Sequence, residues 1–122
     1  MNIAVKLQIR PGSKVALIGL PSGVKLDLPA DCSSVADPAQ AETADAVVVF
    51  AADSSALGSV ALPAINAARE DRLAWLAYPK AGKLGTDLNR DVLARLMSDR
   101  GLQPVRQVAI DDVWSALRFR PA

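Results

Sequence analysis

The sequence predicts a three-layer α/β/α sandwich built on a mostly parallel sheet and closed by a C-terminal antiparallel hairpin. Three observations carry that expectation. Short apolar runs at 14–20, 45–51 and 73–78 are bounded by Gly, Pro or Asp, the pattern of strands covered on both faces. Segments with helical periodicity follow the second and third of these runs. The last two runs, 104–110 and 113–120, are separated by Asp111-Asp112, as in a hairpin. Strands alternating with helices put the sheet in the middle layer, joined by right-handed crossovers. A chain of 122 residues without internal repeats reads as one domain, 1–122.

In chain order, residues 2–10 (NIAVKLQIR) place Ile3, Ala4, Leu7 and Ile9 near one helical face, ended by Pro11-Gly12. A strand fits the alternation Ile3, Val5, Leu7, Ile9 almost as well. Lys14–Leu20 is a central strand, and Val24–Leu28 is either a short strand or the return of a loop. Residues 29–44 read as loop with a short helical turn. Asp45–Ala51 is a strand, and Asp53-Ser54-Ser55 caps a helix over Ala56–Ala68 whose inner side carries Leu57, Val60, Ala61, Ile65 and Ala68. Pro63 should kink that helix or start its second half. Leu73–Tyr78 is the third strand. Thr86–Arg100 is the strongest helix, with Leu88, Val92, Leu93, Leu96 and Met97 at helical spacing and Gly101 as its stop.

Composition narrows the function classes. Hydrophobic residues make up 51% and charged residues 22%, which places the chain among folded globular proteins. A net charge of +1 gives no electrostatic case for nucleic acid or a membrane surface as partner. A single cysteine excludes an internal disulfide. The absence of histidine removes the usual metal ligand and the commonest general base near neutral pH. The first residues lack a signal-peptide pattern and no apolar run is long enough to span a bilayer, so a cytoplasmic location is expected.

The candidate ligand loop is Lys80-Ala81-Gly82-Lys83-Leu84-Gly85-Thr86. It follows a strand and opens a helix, where free N–H groups and the helix dipole favour an anion. Lys80, Gly82, Lys83, Gly85 and Thr86 suit a phosphate or carboxylate, although the spacing is not that of a P-loop. The plainer reading, favoured by the sequence, is a solvated connection with Thr86 as a helix cap. Gly19, Ser22 and Gly23 of the first turn, and Asp53 and Ser54 after the second strand, should reach the same sheet edge and line a common cleft. Each is more simply a turn or a cap. Asn89 and Arg90 extend the candidate set, with Asp87 and Asp91 beside them as a binding set or a loop-fixing network. No catalytic residue and no metal ligand is assigned: Cys32 lacks a histidine partner, and Asp111 and Asp112 are explained by turn chemistry. Trp114 reads as a sheet-packing residue, and Arg118 and Arg120 as a solvated or interfacial face.

The segments YPK, TDLNRD and AIDDVWSALRFRP resemble those of a family of small, uncharacterised bacterial proteins, most specifically over Tyr78–Pro121. That resemblance implies a fold and no activity. In layout the chain is also similar to the adenosylmethionine-dependent class I methyltransferases. RPGSKVALIGLPSG resembles their first strand and Gly-rich turn, DAVVVF and LAWLAYP their next strands, and GLQPVRQVAI with WSALRFR their terminal hairpin. This likeness implies a Rossmann-like core. The departures are in the cofactor region: no carboxylate ends the first strand, and too few residues precede Lys25-Leu26-Asp27 for the usual helix.

The functional expectation is therefore a non-catalytic binding or regulatory domain for an anionic small molecule or a protein partner, without a cofactor. The alternatives are a reduced adenosylmethionine-dependent enzyme and a homo-oligomeric subunit pairing through its edge strand.

Overall fold

A computed structural model describes residues 2–80 and 82–122; Met1, and Ala81 in the lysine–glycine loop, lie outside the described residues. The Asn2 side chain accepts a hydrogen bond from the Ala4 N–H and starts a single-turn helix, α1 (Ile3–Lys6). Its apolar side continues through Leu7 and Ile9, both buried, so the helical reading of the first residues holds over one turn. Strand β1 (Lys14–Ile18) follows. Gly19–Cys32 then crosses one face of the sheet without regular structure, burying Val24 and half-burying Leu26, Leu28 and Cys32 against it. Val24–Leu28 is thus the return of a loop rather than a strand.

The next strand, β2 (Ser33–Val35), has three mostly exposed residues. A 3-10 turn over Pro38–Thr43, capped by Asp37, supplies the helical turn expected in residues 29–44. All five residues of β3 (Ala46–Phe50) are buried. Two helices follow, α2 (Ser54–Val60) and α3 (Leu62–Arg69), meeting at Ala61. Pro63 sits in the first turn of α3, where its missing N–H costs nothing. Pro63 thus starts the second half of the helical segment, one of the two expected outcomes, and Ala61 at the junction keeps right-handed helical backbone. Strand β4 (Leu73–Pro79), a 3-10 turn over Lys83–Gly85 and helix α4 (Arg90–Ser98) lead to β5 (Leu102–Ala109) and β6 (Trp114–Pro121).

Helix α4 corrects the expected boundary. Thr86 does not cap it; the Asn89 side chain does, accepting from the Val92 N–H at 2.8 Å. The Thr86 hydroxyl instead accepts from the Leu88 N–H, and Leu88 is buried before the helix begins. Asp91 lies 3.8 Å from neighbouring Arg90.

The six strands form one sheet in the order β2-β1-β3-β4-β6-β5. The first four are parallel, and β6 is antiparallel to both β4 and β5. Ala16, Ile18, Val47, Val49, Leu76, Leu117 and Phe119 pack under α2, α3 and α4. On the opposite face Val15, Val48, Phe50, Trp75 and Ala116 pack under α1 and the 19–32 crossing. The outer layers are unequal, with three helices on one side and one turn of helix plus irregular chain on the other. Each Val, Leu or Phe withdrawn from water here contributes about 1.5–3 kcal/mol. Trp75 fastens the thinner layer, donating from Nε1 to the Leu7 carbonyl at 2.9 Å, and Trp114 packs edge-on to Phe50 at 5.4 Å.

A register shift between Pro104 and Arg106 interrupts β5 and leaves Val105 exposed. Asp111 Oδ1 accepts from the N–H groups of Val113 and Trp114, the turn chemistry expected of the hairpin. Among the described residues, no helix is long and apolar enough to cross a membrane.

Candidate functional site

Chain direction brings three connections to one edge of the sheet: those leaving β1, β3 and β4 at their carboxyl ends. The connection from β1 crosses one face and that from β3 the other, so the strands part company between Gly19 and Phe50. At that point the two backbones are in close contact. Gly19 has φ +72°, and a Cβ built on it would stand 2.9 Å from the Phe50 carbonyl oxygen. Glycine is required here on both counts. Ser22 and Gly23 lie further along this exposed turn.

The connection from β3 is tied down. Asp53 caps α2, its Oδ1 accepting from the Ala56 N–H at 2.8 Å. The Ser54 N–H donates to Asp87 Oδ1 at 2.8 Å, and the Ser54 hydroxyl donates to Asp87 Oδ2. Asp87 therefore bridges the second and third connections. The Ser54 side-chain hydrogen bond, followed by the backbone one, holds its carboxyl below the ordinary carboxylate range. Sequence reasoning put Asp87 among the polar residues before α4; its partner could not be read.

The lysine–glycine loop is folded on itself and on the hairpin. The Lys80 N–H donates to the Val113 carbonyl at 2.7 Å, that of Lys83 to Lys80, and that of Thr86 to Lys83. Gly82 takes φ +78°, which lets the chain reverse. Leu84, at φ +54°, is exposed, as are Lys83 and Gly85.

Of the candidate residues, Lys80, Asn89 and Arg90 come together. They line an open groove of about 510 Å³ with Tyr78, Gln107, Ala109 and Ser115. Its floor comes from three strands: β4 and β6 set Tyr78 opposite Ser115, and β5 brings Gln107 alongside. Gln107 Nε2 lies 3.3 Å from the Tyr78 hydroxyl and 3.4 Å from that of Ser115, and the Ser115 hydroxyl donates to the Val108 carbonyl. Tyr78 and Ser115 are buried, while Lys80 is half-buried and Arg90 exposed at the rim. No carboxylate lines this groove. Gly19, Ser22, Gly23 and Asp53 do not reach it, and Ser54 instead borders a separate groove between α2, α3 and α4. Thr86 and Asn89 have backbone tasks, although the Asn89 amide nitrogen remains for a ligand.

Tyr78, Gln107 and Ser115 are the groove residues the sequence did not single out. The only signal for them was the hairpin itself, whose register sets Ser115 beside Tyr78. Cys32 is half-buried and its thiol donates to the Arg10 carbonyl at 3.3 Å. Among the described residues, no group of three metal-ligating side chains is assembled. No protein-family model matches the chain, and no curated protein matches its sequence.

Proposed function

We propose that this domain binds a small anionic ligand, without transforming it, in the groove at the carboxyl end of β4. The observation that carries the reading is the lining itself. Lys80 and Arg90 contribute two positive charges, and Tyr78, Asn89, Gln107 and Ser115 contribute neutral hydrogen-bonding groups, with no carboxylate among them. Such a surface attracts an oxyanion and orients it, and open α/β sheets gather ligands at this edge. The non-catalytic reading rests on a sequence without histidine, and on Asp53 and Asp87 being engaged in holding loops.

The fold is read as a Rossmann-like core. Its support is the parallel order β2-β1-β3-β4, with the connections from β1 and β3 passing to opposite faces. Relation to the methyltransferases has less support, because the crossing after β1 contains no helix.

Amide chemical shifts followed during titration with inorganic phosphate and with citrate test the site. Saturable changes should cluster at residues 78–90 and 107–115, and should weaken in Lys80→Ala and Arg90→Ala. Absence of change at these amides with either anion would sink the proposal. Saturable binding of adenosylhomocysteine at Gly19–Gly23 would favour the enzyme relation instead.

A further inference from the structure

The floor of the groove beside Tyr78 carries neutral polar groups whose hydrogens can be assigned one by one. Tyr78 and Ser115 stand opposite each other across β4 and β6, and each is only 3% exposed. Ser115 spends its proton on the Val108 carbonyl at 3.3 Å. Gln107 Nε2 directs one hydrogen at the Tyr78 hydroxyl oxygen and the other at that of Ser115, at 3.3 and 3.4 Å. Both amide hydrogens are then used.

Two groups are left over. The Tyr78 O–H has no acceptor among the described residues, and Gln107 Oε1 has no donor. Turning the amide over exchanges the roles: Tyr78 then donates to Oε1, leaving Nε2 as the donor and the phenolic oxygen as the acceptor. In either arrangement the pair presents one donor and one acceptor to the groove. A hydroxyl on so buried a side chain is costly to leave half-satisfied, and the groove is where its partner can enter.

The shape of that partner follows from the same inventory. A bare carboxylate or a phosphate dianion has acceptors only, and would leave the acceptor of the pair unmatched. A hydroxyl group donates and accepts from one atom, so it answers both. Ala109, opposite Ser115, contributes only a methyl and keeps room beside the two hydroxyls. The cations stand close by. Lys80 lies two residues beyond Tyr78, about 7 Å at the rise of a strand, and Arg90 opens α4 above the floor.

Resting on the reading of this groove as an anion site, we infer that its ligand is a small hydroxy acid. Lys80 and Arg90 hold its carboxylate groups, and its hydroxyl sits between Tyr78 and Gln107. Tyr78 and Gln107 are then the specificity-determining residues. A site built to hydrogen-bond a hydroxyl rejects the analogue that lacks it, because its own polar groups are left unpaired.

Malate and succinate differ by one hydroxyl and carry the same charge, so they separate the two roles. Amide chemical shifts of the full chain are followed during titration with each, and with inorganic phosphate. Malate should shift residues 78–90 and 107–115 and bind about tenfold or more tighter than succinate. Tyr78→Phe and Gln107→Met should each bring malate down to the level of succinate and leave succinate nearly unchanged. Lys80→Ala should weaken both acids alike. Equal binding of malate and succinate at these amides would overturn the hydroxy-acid inference while leaving the anion site standing. No shift with any of the three anions would remove the anion site itself, and the inference with it. A malate preference that survives in Gln107→Met would also overturn the inference; Gln107 is exposed, so this variant keeps the test valid if Tyr78→Phe fails to fold.

Discussion

Asp87 accepts both the backbone N–H and the hydroxyl of Ser54, so one exposed carboxylate ties the loop after β3 to the loop after β4. These hydrogen bonds hold the Asp87 carboxyl below its ordinary value. Between the folded and unfolded values the unfolded chain binds more protons, so stability rises as pH rises there. The contribution is fully present above about 3.9, the ordinary aspartate value, and is lost as pH falls through the lower folded value. Asp71, held down mainly by its hydrogen bond from Arg120, acts in the same direction. In thermal melts from pH 7 to pH 2, Asp87→Asn should melt below wild type at neutral pH, and the gap should close in acid. A gap independent of pH would show that the Asp87 charge is not what stabilises.

Gly19→Ala should destabilise the fold strongly. The new methyl would sit 2.9 Å from the Phe50 carbonyl oxygen, on a residue at φ +72°. Left-handed backbone costs about 1–2 kcal/mol and overpacking about 1–3 kcal/mol, so roughly 2–5 kcal/mol in chemical denaturation is expected. Gly23→Ala faces open space and should change little.

Removing the indole N–H isolates what fastens α1. Trp75→Phe keeps an aromatic ring in the core but loses the bond to the Leu7 carbonyl. A loss of about 1–3 kcal/mol is expected, from the unpaired carbonyl and the smaller ring. Hydrogen exchange should accelerate at Lys6 and Leu7, whose N–H groups are bonded within this turn, more than in β3. Uniform acceleration would mean that α1 has no separate opening.

The helix cap offers a clean comparison. Asn89→Ala should cost about 1 kcal/mol, and Asn89→Ser much less, because serine also caps. Thr86→Val should leave the helicity of α4 intact, since the threonine hydroxyl bonds to Leu88 rather than into the helix. Circular dichroism and denaturant midpoints separate the two residues.

Strands β1, β3 and β4 were legible because burial on both faces forces a continuous apolar run, as in AVVVF. Strand β2 was not, because Ser33-Ser34-Val35 lies at the sheet edge with two of its three residues exposed and needs no apolar pattern. The start of α4 was misread because Thr86 and Asn89 are both capping residues and Leu88 fits the helical spacing. Only the backbone decides that Leu88 is buried from an extended approach. Of the residues lining the candidate groove, Lys80 was singled out from its place after a strand, and Asn89 and Arg90 from theirs at a helix start. Gln107 and Ser115 depend on the β4–β6 and β5–β6 registers, which pairing sets and composition does not record. Arg118 and Arg120 read as a solvated or interfacial face, since nothing local reveals that Gln8 and Asp71 lie beside them.

The interruption at Pro104–Arg106 also bears on how the molecule behaves in a crowd. A free sheet margin invites another chain to add to it, and this sheet has two. One margin is only Ser33–Val35 long. The other carries a proline without an N–H, an out-of-register Val105 and a charged Arg106. Neither offers a straight row of donors and acceptors to an incoming strand, and short or interrupted margins of this kind are how sheets disfavour edge-to-edge growth.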